Sequence, residues 1–158
     1  MGIRFNAEQI LTMSERIEQN GAAFYRMAAK KVEAGEHRNL LLKLAAFEEK
    51  HESCFAQLHK KLTDKETESL AFDPFNEGAL YCQTYADNQQ FFIKDIDFSD
   101  MKAVLKAAIQ QEKDTIVFYV GLKEFVSDAH GKNRIDEIIR EELSHINLLT
   151  GHLNTLLV

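Results

Sequence analysis

Residues 41–62 have the periodicity of an amphipathic helix, with a seam running Leu41, Leu44, Glu48, His51, Phe55, Leu58, Leu62 in alternating steps of three and four. Residues so spaced share one helix face, so Glu48 and His51 point at the same interior as Leu44 and Phe55. A buried carboxylate or imidazole without a partner costs several kcal/mol. The interior must therefore contain something that satisfies both.

The anomaly occurs twice. Ile135, Ile138, Glu142, His145, Leu149, His152 and Leu156 repeat the seam 94 residues further on. The same offset pairs Leu11, Ser14, Glu18, Gly21, Tyr25, Ala28 and Val32 with Leu105, Ala108, Glu112, Thr115, Tyr119, Leu122 and Val126. Each of these stripes has one glutamate at an apolar position and a tyrosine seven residues later. Without gaps, residues 6–64 and 100–158 agree at nine positions, weak support for a duplication. The shared register of four glutamates and two histidines is the stronger sign of an internal repeat.

Composition points to helices. One proline, seven glycines and no tryptophan leave little turn chemistry for β-hairpins, and Ala, Leu, Glu, Lys and Gln favour helix. A chain of 158 residues suits one domain that buries a core without staples. A formal charge of −6, with no basic run or basic helix face, argues against nucleic acid or an anionic membrane as a partner. The N-terminus lacks an apolar leader, and no run approaches the roughly 18 apolar residues of a membrane span. Cys54 and Cys82 lack CxxC spacing and read as reduced thiols of a cytoplasmic protein.

In chain order, Asn6 can cap a first helix with Gln9 as its capping-box partner. That helix is expected to end near Gly35, and a second over 36–62 completes a helical hairpin, 6–62. Residues 63–75, with the sole proline Pro74, read as a connector, and 76–93 as a short helix; together they make a crossover over 63–98. A third helix follows Ser99 or Asp100 and runs to about 126, and a fourth covers about 132–156, giving a second hairpin over 99–157. The expected fold is all-α: a single domain over 1–158 built as a four-helix bundle with a crossover connection containing a short helix.

Taken alone, a glutamate on a helix is ordinarily solvated, and a lone seam histidine ordinarily has a hydrogen-bond partner. The joint pattern reads differently. Four helices each contribute one glutamate at the same level, Glu18, Glu48, Glu112 and Glu142, and two add a histidine at i+3, His51 and His145. Bundle cores hold two metal ions with such a set. Four carboxylates balance two divalent cations, which is how the cluster can be buried. Glu141 competes with Glu142 through an i+4 relation to His145, although the repeat register favours Glu142; Glu49, one position off the seam, is expected to face solvent. Tyr25 and Tyr119 lie two turns from Glu18 and Glu112 and can donate hydrogen bonds to carboxylates of facing helices, or serve only as core aromatics. Cys54 is expected at the edge of the site, His152 too far along to bind, and His37, His59 and His130 exposed.

The segments IEQNGAAFY (17–25), EEKHE (48–52), EKDTIVFY (112–119) and EELSH (141–145) resemble the ferritin-like superfamily and, within it, the rubrerythrin-like di-iron proteins. The resemblance extends over essentially the whole chain. It implies a ferritin-like bundle holding two Fe ions, with zinc or manganese as other ions it could take. Glu48 and Glu142 correspond to bridging carboxylates, Glu18 and Glu112 to terminal ligands, and His51 and His145 to nitrogen ligands. It further implies a homodimer that reduces peroxide or oxygen in oxidative-stress defence, with electrons from an external donor, rubredoxin-like or another reductase. A non-enzymatic iron-binding or electron-transfer protein is the alternative. Two departures stand out. The pair of CxxC motifs of a rubredoxin domain is absent from the sequence, and Thr115 stands where rubrerythrins carry an extra glutamate.

Overall fold

The computed structural model describes residues 7–62, 77, 80, 81, 84, 85, 95–123, 126 and 131–158. Four long helices account for most of them: α1 (Ala7–Lys31), α2 (Glu36–Lys60), α3 (Met101–Leu122) and α4 (Lys132–Thr155). No strand occurs among the described residues, so the fold is an all-α four-helix bundle. No described helix is long and apolar enough to cross a membrane.

Local chemistry sets the boundaries. Of the two candidates for capping α3, Asp100 does so, its carboxylate accepting from the backbone N–H groups of Lys102 (2.9 Å) and Ala103 (3.3 Å). Gly131 precedes α4 with φ of +129°, and a Cβ there would collide with the Leu58 side chain, so glycine is required both for the backbone and for the space. α1 stops at Lys31, short of the expected Gly35, and α3 at Leu122 rather than 126. Val126 nevertheless remains buried, which is why the apolar stripe continues in sequence beyond the helix. Asn6, the connector over 63–75 and His130 lie outside the described residues; of 76–93, Glu77, Leu80, Tyr81, Thr84 and Tyr85 are described and helical.

Side-chain pairs fix the directions. Glu15 meets His59, Gln19 meets Glu52 and Arg26 meets Glu49, so α1 and α2 run antiparallel. Tyr25 meets Glu112 and Glu18 meets Tyr119, which sets α3 antiparallel to α1. Cys54 against Arg134 and His37 against His152 do the same for α4 and α2. It follows that α2 and α3 are parallel, and that Lys60 and Met101 lie at opposite ends. The two ends are thus separated by the length of the bundle, about 35 Å for helices of this size. A tight loop could not join them.

The apolar core falls into two clusters. One joins Ile10, Leu11, Phe55, Leu58, Phe118 and Ile135 near the start of α1. The other joins Phe24, Ala28, Leu41, Leu44, Leu105 and Leu149 towards its end. Full burial of each large side chain contributes about 1.5–3 kcal/mol, so either cluster alone offsets a considerable polar cost. That cost sits between them.

Candidate metal centre

Glu18, Glu48, His51, Glu112, Glu142 and His145 occupy the layer between the apolar clusters, none more than 4% exposed. The structure brings together all six positions singled out by the seam register. They form two overlapping groups, Glu18–Glu48–His51–Glu142 and Glu48–Glu112–Glu142–His145, with one oxygen or ring nitrogen from each residue within 4.8 Å of the others in its group. Glu48 and Glu142 belong to both groups. Glu18 and His51 belong to one, Glu112 and His145 to the other.

His51 Nδ1 lies 3.0 Å from Glu142 Oε1 and 3.5 Å from Glu18 Oε2. His145 Nδ1 lies 2.7 Å from Glu142 Oε2, 3.6 Å from Glu48 Oε1 and 3.7 Å from Glu112 Oε1. Close as they are, the atoms facing the centre of the cluster do not bond to one another with hydrogen-bond directionality. Glu18 Oε2, Glu48 Oε1, His51 Nδ1, both Glu142 oxygens and His145 Nδ1 are buried without such a partner. Six orphaned ligand atoms converging from three helices, α1, α2 and α4, would be very costly in an apolar interior, and the cost disappears if they share cations.

Burial and crowding dominate the electrostatics. Burial, then the Glu142, Glu112 and Glu18 carboxylates, hold Glu48 well above the usual carboxylate range. Burial and Glu142 push Glu112 up to about 8, despite the opposing pull of His145. Burial likewise raises Glu18, although His51 and Tyr119 work against it. Glu142 goes the other way: burial would raise it, but His145 and His51 outweigh burial and bring it to about 2. For both histidines burial disfavours the imidazolium and the carboxylates more than reverse it. Glu142 and Glu18 raise His51 to about 11, and Glu112 and Glu142 raise His145 to about 9. Without metal, protons neutralise the layer; divalent cations would displace them.

The supporting contacts come in near-symmetric pairs. The Tyr25 hydroxyl on α1 donates to Glu112 on α3, and the Tyr119 hydroxyl on α3 donates to Glu18 on α1. Both hydroxyls are held well above their ordinary range, by burial first and then by those same carboxylates, so they stay protonated and able to donate. Glu49 turns outward to Arg26, at 2.9 Å from its Nε. Cys54 Sγ lies 3.0 Å from Arg134 Nε at the edge of one apolar cluster.

Three features were not anticipated from sequence. Glu141 is absent from both groups; it sits behind His51, its Oε2 2.9 Å from Nε2, where a carboxylate orients a ligand imidazole. Gly21, i+3 from Glu18 where the other helix pair carries histidine, gives Glu48 its room: a Cβ there would lie 2.6 Å from Glu48 Oε2. Tyr85 places its hydroxyl 3.2 Å from Thr115 Oγ1 and stacks on Phe118 at 5.7 Å. The one sequence sign of the Gly21 role was its position on the stripe. The expected exposure of His37 and His59 is corrected: both are half-buried, His59 against Glu15 at 2.9 Å and His37 against His152 at 3.2 Å, because pairing across helices is invisible to the period of either one.

The donor set fits a pair of divalent ions: four carboxylates and two imidazoles, two of the carboxylates common to both groups, and orphaned atoms facing one another. Comparison with known proteins agrees. A crystal structure of a candidate ferritin-like diiron-carboxylate protein from Thermotoga maritima superposes with a TM-score of 0.72 at 26% identity, covering 98% of each chain. Among curated proteins there is no match. The family model described as Rubrerythrin matches residues 9–153, nearly the entire chain and all six residues of the buried layer, so this ferritin-like bundle belongs to the rubrerythrin family.

Proposed function

We propose that the protein is a di-iron peroxide reductase, able also to use oxygen, that draws its electrons from an external donor, rubredoxin-like or another reductase. The observation that carries this reading is the pair of overlapping ligand groups built on Glu48 and Glu142. In it, two Fe ions would be held by Glu48 and Glu142 in common, with Glu18 and His51 available to one and Glu112 and His145 to the other; zinc or manganese would suit the same donors. When bound, iron would supply the redox chemistry, passing on the donor's two electrons that, with two protons, convert each peroxide to two waters. The chain supplies the rest. Tyr25 and Tyr119 fix the terminal carboxylates, the two apolar clusters keep bulk water out, and a small cavity lined by Gly21, Tyr25, Glu48, Gln111, Glu112 and Thr115 gives a small oxidant a way to the centre.

The whole chain acts as one domain, its two helical hairpins held by the crossover, and pairs as a homodimer. The buried free thiol of Cys54 suits a reducing compartment, the cytoplasm, and the chemistry suits oxidative-stress defence. Thr115, where a further glutamate would be expected, leaves each ion one histidine and one terminal glutamate, which should slow peroxide turnover without abolishing it.

Iron-loaded protein given peroxide and a chemical one-electron donor tests the activity. Repeated consumption of peroxide supports it. Stoichiometric iron without turnover would favour a non-enzymatic iron-binding or electron-transfer role, and failure to bind metal would overturn both.

A further inference from the structure

His37, in the first turn of α2, and His152, in the last turn of α4, form a cluster outside the buried layer. Their Nδ1 atoms are 3.2 Å apart, with the rings 5.3 Å between centroids and inclined at 64°. Two imidazole nitrogens bound to one ion at about 2.0–2.1 Å would be about 3.3 Å apart in a tetrahedral site and about 2.9 Å at a right angle. The observed separation falls between those values. Glu36, at the start of the same α2 turn, brings Oε1 to 4.0 Å from the other nitrogen of His152, Nε2.

We propose that His37 and His152 hold a third divalent ion of the zinc, nickel or copper type. Imidazole donors favour such ions over magnesium or calcium. His152 is seven residues beyond His145 on α4, about 10 Å along the axis, so this ion is separate from the buried pair. The His152 side chain is 19% exposed, which leaves room for water to complete the coordination and for the ion to exchange. Its structural effect is a clamp between α2 and α4, tying the first hairpin to the second at the end of the bundle where α4 finishes.

The competing explanation is a direct N–H···N hydrogen bond between neutral rings, which needs no metal. Zinc titration of the full chain separates the two. Equilibrium dialysis should find one more zinc per chain in the wild type than in H37Q or H152Q, and E142Q should keep this ion while losing buried ones. Nitrogen NMR of the wild type provides a readout independent of the variants: zinc should shift the Nδ1 resonances of both rings. Equal zinc content in wild type, H37Q and H152Q would overturn the proposal. So would Nδ1 resonances that zinc does not move.

Discussion

The Glu141 carboxylate approaches Nε2 of His51 to 2.9 Å, while Nδ1 of the same ring faces Glu142 at 3.0 Å. Among the described residues, no carboxylate gives His145 the equivalent support. Phe47, which occupies the register position of Glu141 in the first half of the repeat, instead packs its ring against His145 at 5.1 Å. A carboxylate behind an imidazole makes it a better donor; an aromatic ring supplies only packing. The two ligand groups are therefore inequivalent. We predict that E141Q weakens the His51-side ion by about 10–100-fold and the other much less. Cobalt titration followed optically should then show two separated steps with their order altered, and an unchanged titration would remove Glu141 from the account.

Gly21 makes a second prediction, in which stability and binding part company. Replacing a helical glycine with alanine ordinarily stabilises by about 1 kcal/mol. Here the new Cβ meets Glu48 Oε2 at 2.6 Å, at the far end of a side chain that can turn aside when no metal holds it. G21A should leave the metal-free protein as stable as before or slightly more so, yet weaken both ions, because Glu48 is shared. Thermal melts with and without metal test this; undiminished metal affinity would show that Glu48 has slack to spare.

The pH dependence of the metal-free protein follows from the buried layer. His51 and His145, raised to about 11 and 9, contribute stability that is complete below the ordinary imidazole value and is lost as pH rises through those figures. Glu112, raised to about 8, also keeps its proton in the folded state long after the unfolded chain has released it. Glu142 opposes them only in acid, its contribution being lost as pH falls towards about 2. From about pH 6 to 9 the folded state thus holds more protons than the unfolded, and stability falls by up to about 1.4 kcal/mol per pH unit for each extra proton. Metal-loaded protein should behave oppositely and weaken as acid competes for the ligands. Chemical denaturation across that range is the check, and a metal-free protein that gains stability with rising pH would contradict it.

Tyr25 and Tyr119 each donate to a buried carboxylate on the neighbouring helix. Y25F and Y119F remove the donor and leave the acceptor buried, at a cost of about 1–3 kcal/mol each. Metal stoichiometry should survive both changes. A loss well under 1 kcal/mol in urea denaturation would reduce the two hydroxyls to bystanders.

The bundle and its ligand layer were legible because a helix writes its inward face at a fixed period, and Glu48 with His51 breaks that period in register with Glu142 and His145. The antiparallel pairing of α1 with α2 was also legible, from the short break between them, and the long stretch ahead of α3 marked a connection other than a tight loop. What stayed hidden is contact between helices. Nothing along α4 alone tells that Glu141 backs a histidine on α2 rather than competing with Glu142, and nothing along α1 tells that Gly21 makes room for Glu48. His37 and His152 looked unrelated for the same reason. The apolar period overruns the helix end where a side chain such as Val126 stays in the core after the backbone has left the helix.

The central claim is that Glu142 is shared by two ions, and the metal content of E142Q beside the wild type tests it most directly. Elemental analysis after iron loading should give two ions per wild-type chain and neither at full occupancy in E142Q, with E18Q losing chiefly one. Two ions fully retained in E142Q would contradict the shared-carboxylate centre.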